Sequence, residues 1–295
     1  MILTPEDYSN WLTKHLEAEQ LHVSDLLYHY TNAGGLIGII KSGKIWHTSM
    51  YHVNDPSEER FGQKIAFEIL DEFAAKAAIF KSYAEEVRKK LSSARFRVFF
   101  EPFVACFSRD RNTLEQWRAY GDNGRGFAIG FKPTLFEAKK RPLRSDNTFV
   151  TEVAYGDAAI ALIRGPIEKW FDSVPQFELG SGERSKWLTG ITLTILWYSS
   201  RTKDDAYKAE NEVRLMTRNG GQMPLSKNID FRSRGSAIVP YFAADIGAKD
   251  PKNIHEVIAG PAADDSALDA LYTLERIGRL RGVPISKSEI PYRAL

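Results

Sequence analysis

Cysteine is almost missing from this chain. Cys106 is the only one in 295 residues, which rules out an intrachain disulfide and fits a reducing compartment. An excess of charge of one sign is also lacking. With 40 lysines and arginines against 38 aspartates and glutamates, no global cationic field for nucleic acid exists, although a local basic patch stays open. No run of 18 apolar residues occurs, and the N-terminus has no basic-then-apolar signal pattern. The expectation is a soluble cytoplasmic protein with no membrane partner. HExxH and paired-cysteine spacings are missing, so no metal is expected. Neither an internal repeat nor a low-complexity tract is visible.

What the chain does have is material for a core: 43% of its residues are hydrophobic and 12% aromatic. Short apolar runs alternate irregularly with helical patterns, without a βαβ rhythm, which argues for an α+β fold. The expected organisation is a single domain over 1–295. It has a helical N-terminal segment over 1–22 and helical insertions over about 56–92 and 157–200. Thr4 as N-cap, Pro5 at N1 and the acids Glu6 and Asp7 open the first helix.

The stretch the rest of the chain is arranged around is Leu26–Thr31 with the run that follows it. In a strand, residues two apart share a face, so His29 and Thr31 point one way and Tyr28 and Tyr30 the other. Asn32 as N-cap and Gly43 as C′ residue bound a helix at 33–42, and a second strand follows over 44–50. A histidine fixed on a strand just before a helix is well placed to hold a polar ligand. Next, Asn54-Asp55-Pro56-Ser57-Glu58 has two readings. Asp55 and Glu58 cap the helix that begins at Ser57, or the loop closes over the His29 cleft.

Further along, residues 103–108 form a buried strand ending at the polar tip Ser108. Cys106 reads as a small core residue, since no activating group lies near it in sequence. Trp117 and Tyr120 share one face of a short helix, as core or as a pocket wall. The glycine-rich turn 121–126 is not a phosphate loop, because the order is helix, turn, strand. Residues 184–200 form an apolar helix, short and flanked by charge. Glu210 and Glu212 share a face at a strand entrance. They form either a repelling pair with one raised pKa or a solvated edge paired with Arg214.

The motifs Leu27-Tyr28-His29-Tyr30-Thr31 with Gly35 to Ile45, Asn54 to Glu58, Cys106-Phe107-Ser108, Gln116-Trp117 with Tyr120-Gly121, Gly126 with Gly130-Phe131, Glu210-x-Glu212-x-Arg214-Leu215 and Ser288 to Arg293 occur in order. Together they resemble a widespread bacterial family, the domain of unknown function 2971. More distantly, the His-x-Thr strand and the Glu-x-Glu strand resemble ADP-ribosyltransferases. That resemblance implies a core of two small, mainly antiparallel sheets with flanking helices that clamp NAD, which is consumed as a substrate.

It further implies that His29 and Thr31 support the NAD site, with Ser108 beside them. Glu212 would be the catalytic carboxylate and Glu210 would orient the acceptor. Asn54, Asp55, Glu58 and Arg214 would fall on the acceptor side. The tyrosine motif such enzymes carry midway is not recognisable, so Tyr51, Trp117 and Tyr120 all stand as partners for nicotinamide. The implied acceptor is a nucleic acid, a protein or a small molecule, in toxicity or phage defence. Three other readings are an NAD or nucleotide glycohydrolase, a non-catalytic nucleotide-binding module, and a metal hydrolase using His29, His47, His52 and Asp55.

Overall fold

The computed structural model describes residues 4–53, 57–136, 148–175, 177, 179–218 and 229–293, without the side chains of 57–59 and 218. Asn54, Asp55 and the side chain of Glu58 therefore lie outside the described residues.

The chain opens with helix α1 (Pro5–Ala18), started by a Thr4–Asp7 capping box. Strand β1 (Leu27–Thr31), helix α2 (Ala33–Ser42) and strand β2 (Lys44–Ser49) follow. Asn32 Oδ1 accepts the Gly35 N–H at 2.9 Å, and Gly43 ends α2 in the left-handed region at φ +74°, as the residue types require. Helices α3 (Ser57–Ala74) and α4 (Ala78–Ser92) occupy the expected helical insertion over about 56–92, and α5 (Ala94–Phe99) is a short addition. Then come β3 (Pro102–Ser108), α6 (Leu114–Ala119), β4 (Phe127–Phe131), β5 (Thr148–Glu152), β6 (Ala154–Tyr155), α7 (Gly156–Ser173) and α8 (Ser181–Ser199). The chain continues through β7 (Thr202–Lys203), β8 (Glu212–Arg218), β9 (Ile229–Arg234), β10 (Ala237–Asp245), β11 (Ile254–Ala259), α9 (Asp265–Arg276) and β12 (Ile285–Lys287).

The fold is α+β, but the expected pair of small sheets is corrected. One ten-stranded, mainly antiparallel sheet stands beside a parallel two-stranded pair, β6–β7. The reason lies in β3. One of its edges pairs with β8 along its whole length, from Pro102↔Arg218 to Ser108↔Glu212. Its other edge is shared, with β1 joining only at Ser108 and β2 only at Phe103 and Val104. Between those points no strand among the described residues pairs with Ala105, Cys106 and Phe107 on that side, so the sheet forks. One limb runs β1, β4, β11, β12 and the other β2, β10, β9. Helix α2 joins β1 to β2 and so connects the two limbs.

Two large apolar cores flank the sheet. Leu27, Phe107, Ile129, Val213 and Leu215 pack with Leu36, Ile39 and Ile40 of α2 and Leu271 of α9 on one side. On the other side Val104 and Met216 meet a helical layer built from α1, α3, α4, α7 and α8, whose buried residues include Tyr83, Trp170, Trp187 and Ile195. The apolar stretch 184–200 is therefore the centre of that layer. Among the described residues no helix is long and apolar enough to cross a membrane.

Glycine matters most at the turn that feeds β4. Asp122, Asn123 and Gly124 all have positive φ, at 50°, 52° and 82°. A side chain at Gly126 would collide with the Thr31 carbonyl oxygen and lie 2.9 Å from the Gly121 carbonyl. Tyr292 closes this turn from the C-terminus through its hydroxyl, 2.5 Å from Asn123 Oδ1.

Candidate functional site

A cavity of about 200 Å³ lies at the fork. Its walls include His29 and Thr31 of β1, Lys44, Trp46 and Thr48 of β2, Cys106 and Ser108 of β3, Tyr120, Glu210, Glu212, and Arg232 and Arg234 of β9. The structure thus brings together six of the twelve site residues expected from the sequence: His29, Thr31, Ser108, Tyr120, Glu210 and Glu212.

The geometry differs from two side chains facing each other across a gap. Paired residues of an antiparallel ladder share a face. The registers Tyr28↔Ser108↔Glu212 and Cys106↔Arg214 therefore put Glu212 and Cys106 on one face and His29 on the other, where its ring lies 5.6 Å from that of Phe107. His29 reaches the same cavity because the β3 edge is open beside it. Its Nδ1 lies 2.8 Å from the Cys106 carbonyl oxygen, between the points where β1 and β2 join β3. A carbonyl only accepts, so Nδ1 carries the proton and Nε2 is the ring's acceptor. Burial lowers the pKa of His29, which the Cys106 carbonyl opposes and Arg232 reinforces; the ring is neutral at pH 7.

The carboxylate pair is arranged differently from a strand edge. Glu210 ends a 3-10 turn over Asp205–Glu210, Asn211 adopts φ +46°, and β8 starts only at Glu212. What gathers the two carboxylates is Lys203. Its Nζ bonds Glu210 Oε2 and sits 2.7 Å from Glu212 Oε2, with the lysine side chain 1% exposed. The solvated-edge reading is corrected, because Arg214 does pair with Glu212 but both are buried. Arg214 Nε donates to Glu212 Oε1 at 2.7 Å and its Nη1 to the Ser200 carbonyl at 2.6 Å. Arg214 does not line the cavity; it lies in the interior as the anchor of Glu212.

These surroundings pull the two acids apart. Burial raises the pKa of Glu210, against the opposing pull of Lys203. Burial would also raise that of Glu212, but Arg214 and Lys203 outweigh it and bring the carboxyl down to about 2. Two neighbouring carboxyl groups whose pKa values are shifted in opposite directions are suited to divided acid–base roles. Tyr120 donates to Glu210 Oε1 at 3.1 Å, and Ser108 and Gln116 donate to the Glu210 carbonyl at 2.8 and 3.1 Å, which fixes the turn. Tyr155 completes the frame by accepting the Glu212 N–H at 3.1 Å.

The three aromatic alternatives separate. Tyr120 lines the cavity. Trp117 is fully buried, edge-on to Tyr30 at 4.8 Å, with its Nε1 donating to Asn112, and so serves the core. Tyr51 packs into the helical layer with Arg97 over its ring. The proposed metal set does not converge either. His47 is fully buried with Nδ1 2.9 Å from Thr217 Oγ1, and His52 takes Ser49 Oγ at 2.8 Å. Asp55 lies outside the described residues. Among the described residues, no group of three histidine, cysteine or acidic side chains is placed to hold a metal.

Lys203, Arg232 and Arg234 were not singled out from the sequence, and Gln116 stood out only as part of the Gln116–Gly121 motif. For the arginines a signal existed: the alternation in Ile229-Asp230-Phe231-Arg232-Ser233-Arg234 ahead of Gly235-Ser236 reads as the first arm of a hairpin. For Lys203 there was none.

Residues 116–215 match a family described as protein of unknown function (DUF2971). Three of the motifs fall in that span: those at Gln116–Gly121, Gly126–Phe131 and Glu210–Leu215. No curated protein and no solved structure matches the chain.

Proposed function

We propose that the fork cavity binds an NAD-type dinucleotide and breaks its nicotinamide–ribose bond, passing ADP-ribose to an acceptor. The observation that carries the reading is the charge layout of the cavity. Its lining holds an acidic pair at Glu210 and Glu212 and a cationic pair at Arg232 and Arg234, with the neutral imidazole of His29 beside them. A dinucleotide offers the complement, with a cationic nicotinamide riboside at one end and phosphates at its centre.

In this reading Glu212, held ionised by Arg214 and Lys203, stabilises the oxocarbenium-like charge that forms as the glycosidic bond breaks. Glu210 takes the proton from the acceptor, and Tyr120 and Lys203 hold it in place. His29 Nε2 accepts a hydrogen bond from a ribose hydroxyl, and Thr31 supports that side. The cavity, at about 200 Å³, is smaller than the ~300–1,000 Å³ usual for ligand pockets, so it takes a nucleoside-sized part and the limbs of the fork must part to admit the rest.

The test is nicotinamide release from NAD. The wild type releases nicotinamide; His29→Ala and Glu212→Gln lose roughly 100-fold or more, and Glu210→Gln retains slow release without transfer. Because Glu212 is bound by two buried cations, Glu210→Gln is the milder variant if Glu212→Gln fails to fold. Unchanged release from folded His29→Ala and Glu210→Gln proteins refutes the reading. Mass spectrometry of the products separates transfer from hydrolysis, since free ADP-ribose with no modified macromolecule marks a glycohydrolase. Calorimetric binding of NAD with no product marks a non-catalytic module.

A further inference from the structure

We infer that Arg232 and Arg234 form an anion subsite in the fork cavity that takes the two phosphoryl groups of a diphosphate-bearing ligand. The inference rests on the reading above for the identity of the ligand, but not for the anion itself.

The argument begins with an orphaned donor. Arg232 Nε is buried and has no hydrogen-bond partner among the described residues. A buried donor without a partner is costly, and in a native protein it calls for an explanation. The rest of that side chain is held in place. Nη2 donates to Thr48 Oγ1 at 2.9 Å, and the guanidinium lies 5.4 Å from the centre of the Trp46 ring. The guanidinium is thus pre-positioned with its buried Nε–H unpartnered among the described residues.

The surroundings select for negative charge. Arg234 lies two residues along the same strand and so presents its guanidinium from the same face, ~7 Å away along the backbone. Lys44 lines the same cavity. The one carboxylate of β9 on this face, Asp230, is turned aside, with Oδ1 on the Phe231 N–H at 2.8 Å and Oδ2 on the Tyr241 hydroxyl at 3.2 Å. Burial and the neighbouring Arg234 charge both lower the pKa of Arg232, a tension that a bound anion relieves. Guanidinium forks match phosphoryl oxygens in pairs, and two forks on alternate strand positions suit two linked phosphoryl groups better than one carboxylate. The acidic pair of the same cavity is held by its own cations, Lys203 and Arg214, so it does not neutralise the arginines.

The experiment is calorimetric titration of inorganic pyrophosphate, with ADP-ribose and adenosine in parallel. Pyrophosphate and ADP-ribose bind the wild-type chain and adenosine binds far more weakly. Arg232→Gln and Arg234→Gln each weaken pyrophosphate roughly ten-fold or more, and Arg232→Lys recovers little because the fork is lost. Melting temperatures within a few degrees of wild type establish that the arginine variants are folded. Absence of pyrophosphate binding, or equal binding by folded Arg232→Gln and Arg234→Gln proteins, overturns the inference. Pyrophosphate binding that depends on both arginines, in a protein that never releases nicotinamide, keeps the anion subsite and removes the NAD chemistry.

Discussion

Replacing Lys203 with methionine tests the electrostatic core of the site. The lysine side chain is 1% exposed and those of Glu210 and Glu212 are 12% and 4% exposed, so solvent does little to screen the triad. Methionine keeps the length and the apolar stem but leaves one negative charge too many. Glu212 still has Arg214, with Nε at 2.7 Å and Nη2 at 3.2 Å. The stranded group is Glu210, left with the Tyr120 hydroxyl at 3.1 Å. Removing one partner of a buried pair costs about 3–5 kcal/mol, and with Glu212 still served the loss belongs at the lower end, about 3 kcal/mol.

The loss also depends on pH, in a direction that can be worked out. The Glu210 carboxyl already has a raised pKa in the native protein, and without Lys203 it rises further. Over the window between the two native values, the variant holds a proton that the wild type has released. Stability falls with pH wherever the native state holds more protons than its reference, so the deficit of the variant grows as pH rises. Urea unfolding followed by tryptophan fluorescence at pH 5 and pH 8 measures both quantities. A deficit under ~1 kcal/mol at pH 8, or one equal at the two pH values, refutes the view that Lys203 carries the compensating charge.

Two further outcomes follow from the same structure. Gly126→Ala drives a methyl group against the Thr31 and Gly121 carbonyls, both backbone, and costs about 1–3 kcal/mol or more, whereas Gly38→Ala, with nothing within 4 Å of the added carbon, is neutral or stabilising; differential scanning calorimetry of the pair decides, and equal melting points contradict the packing argument. His47 stays neutral in the native protein, its pKa brought down to about 3 by burial and by His29, while the unfolded chain takes up a proton below about 6.5. Native stability therefore falls as pH drops from 6.5 toward 3, by at most ~1.4 kcal/mol per pH unit from this ring. His47→Gln flattens that limb, and an unaltered slope in melting temperature between pH 7 and 4 excludes His47 as its source.

Glu212 adds an acid-sensitive term of the same sign. Its native pKa of about 2 lies below the ordinary 4.5, so the stabilisation it supplies is complete above pH 4.5 and is lost as pH falls toward 2. At ~1.4 kcal/mol per pH unit this is on the order of 3 kcal/mol.

What could be read in advance divides by the range of the interaction responsible. Asn32 and Gly43 fixed both ends of α2 because capping is a local contest between a side chain and the next backbone groups. Residues 103–108 were legible as a buried strand because a short apolar run ending at a polar tip has few other solutions. The fork was not legible. It depends on β3 giving one edge to β8 and dividing the other between β1 and β2, a matter of pairing between segments tens of residues apart. The same holds for the site. His29 and Glu212 stood out as residue types in short motifs, yet the spacing of Glu210 and Glu212 misled, because Asn211 in the left-handed region breaks the strand between them. Lys203 had no signature, since β7 is two residues long and its two carboxylate partners reach it across a turn. A charged residue in the interior is tolerated only where the fold has already assembled its counter-charges. The ions that set the chemistry of the cavity are therefore those that the chain order reveals last.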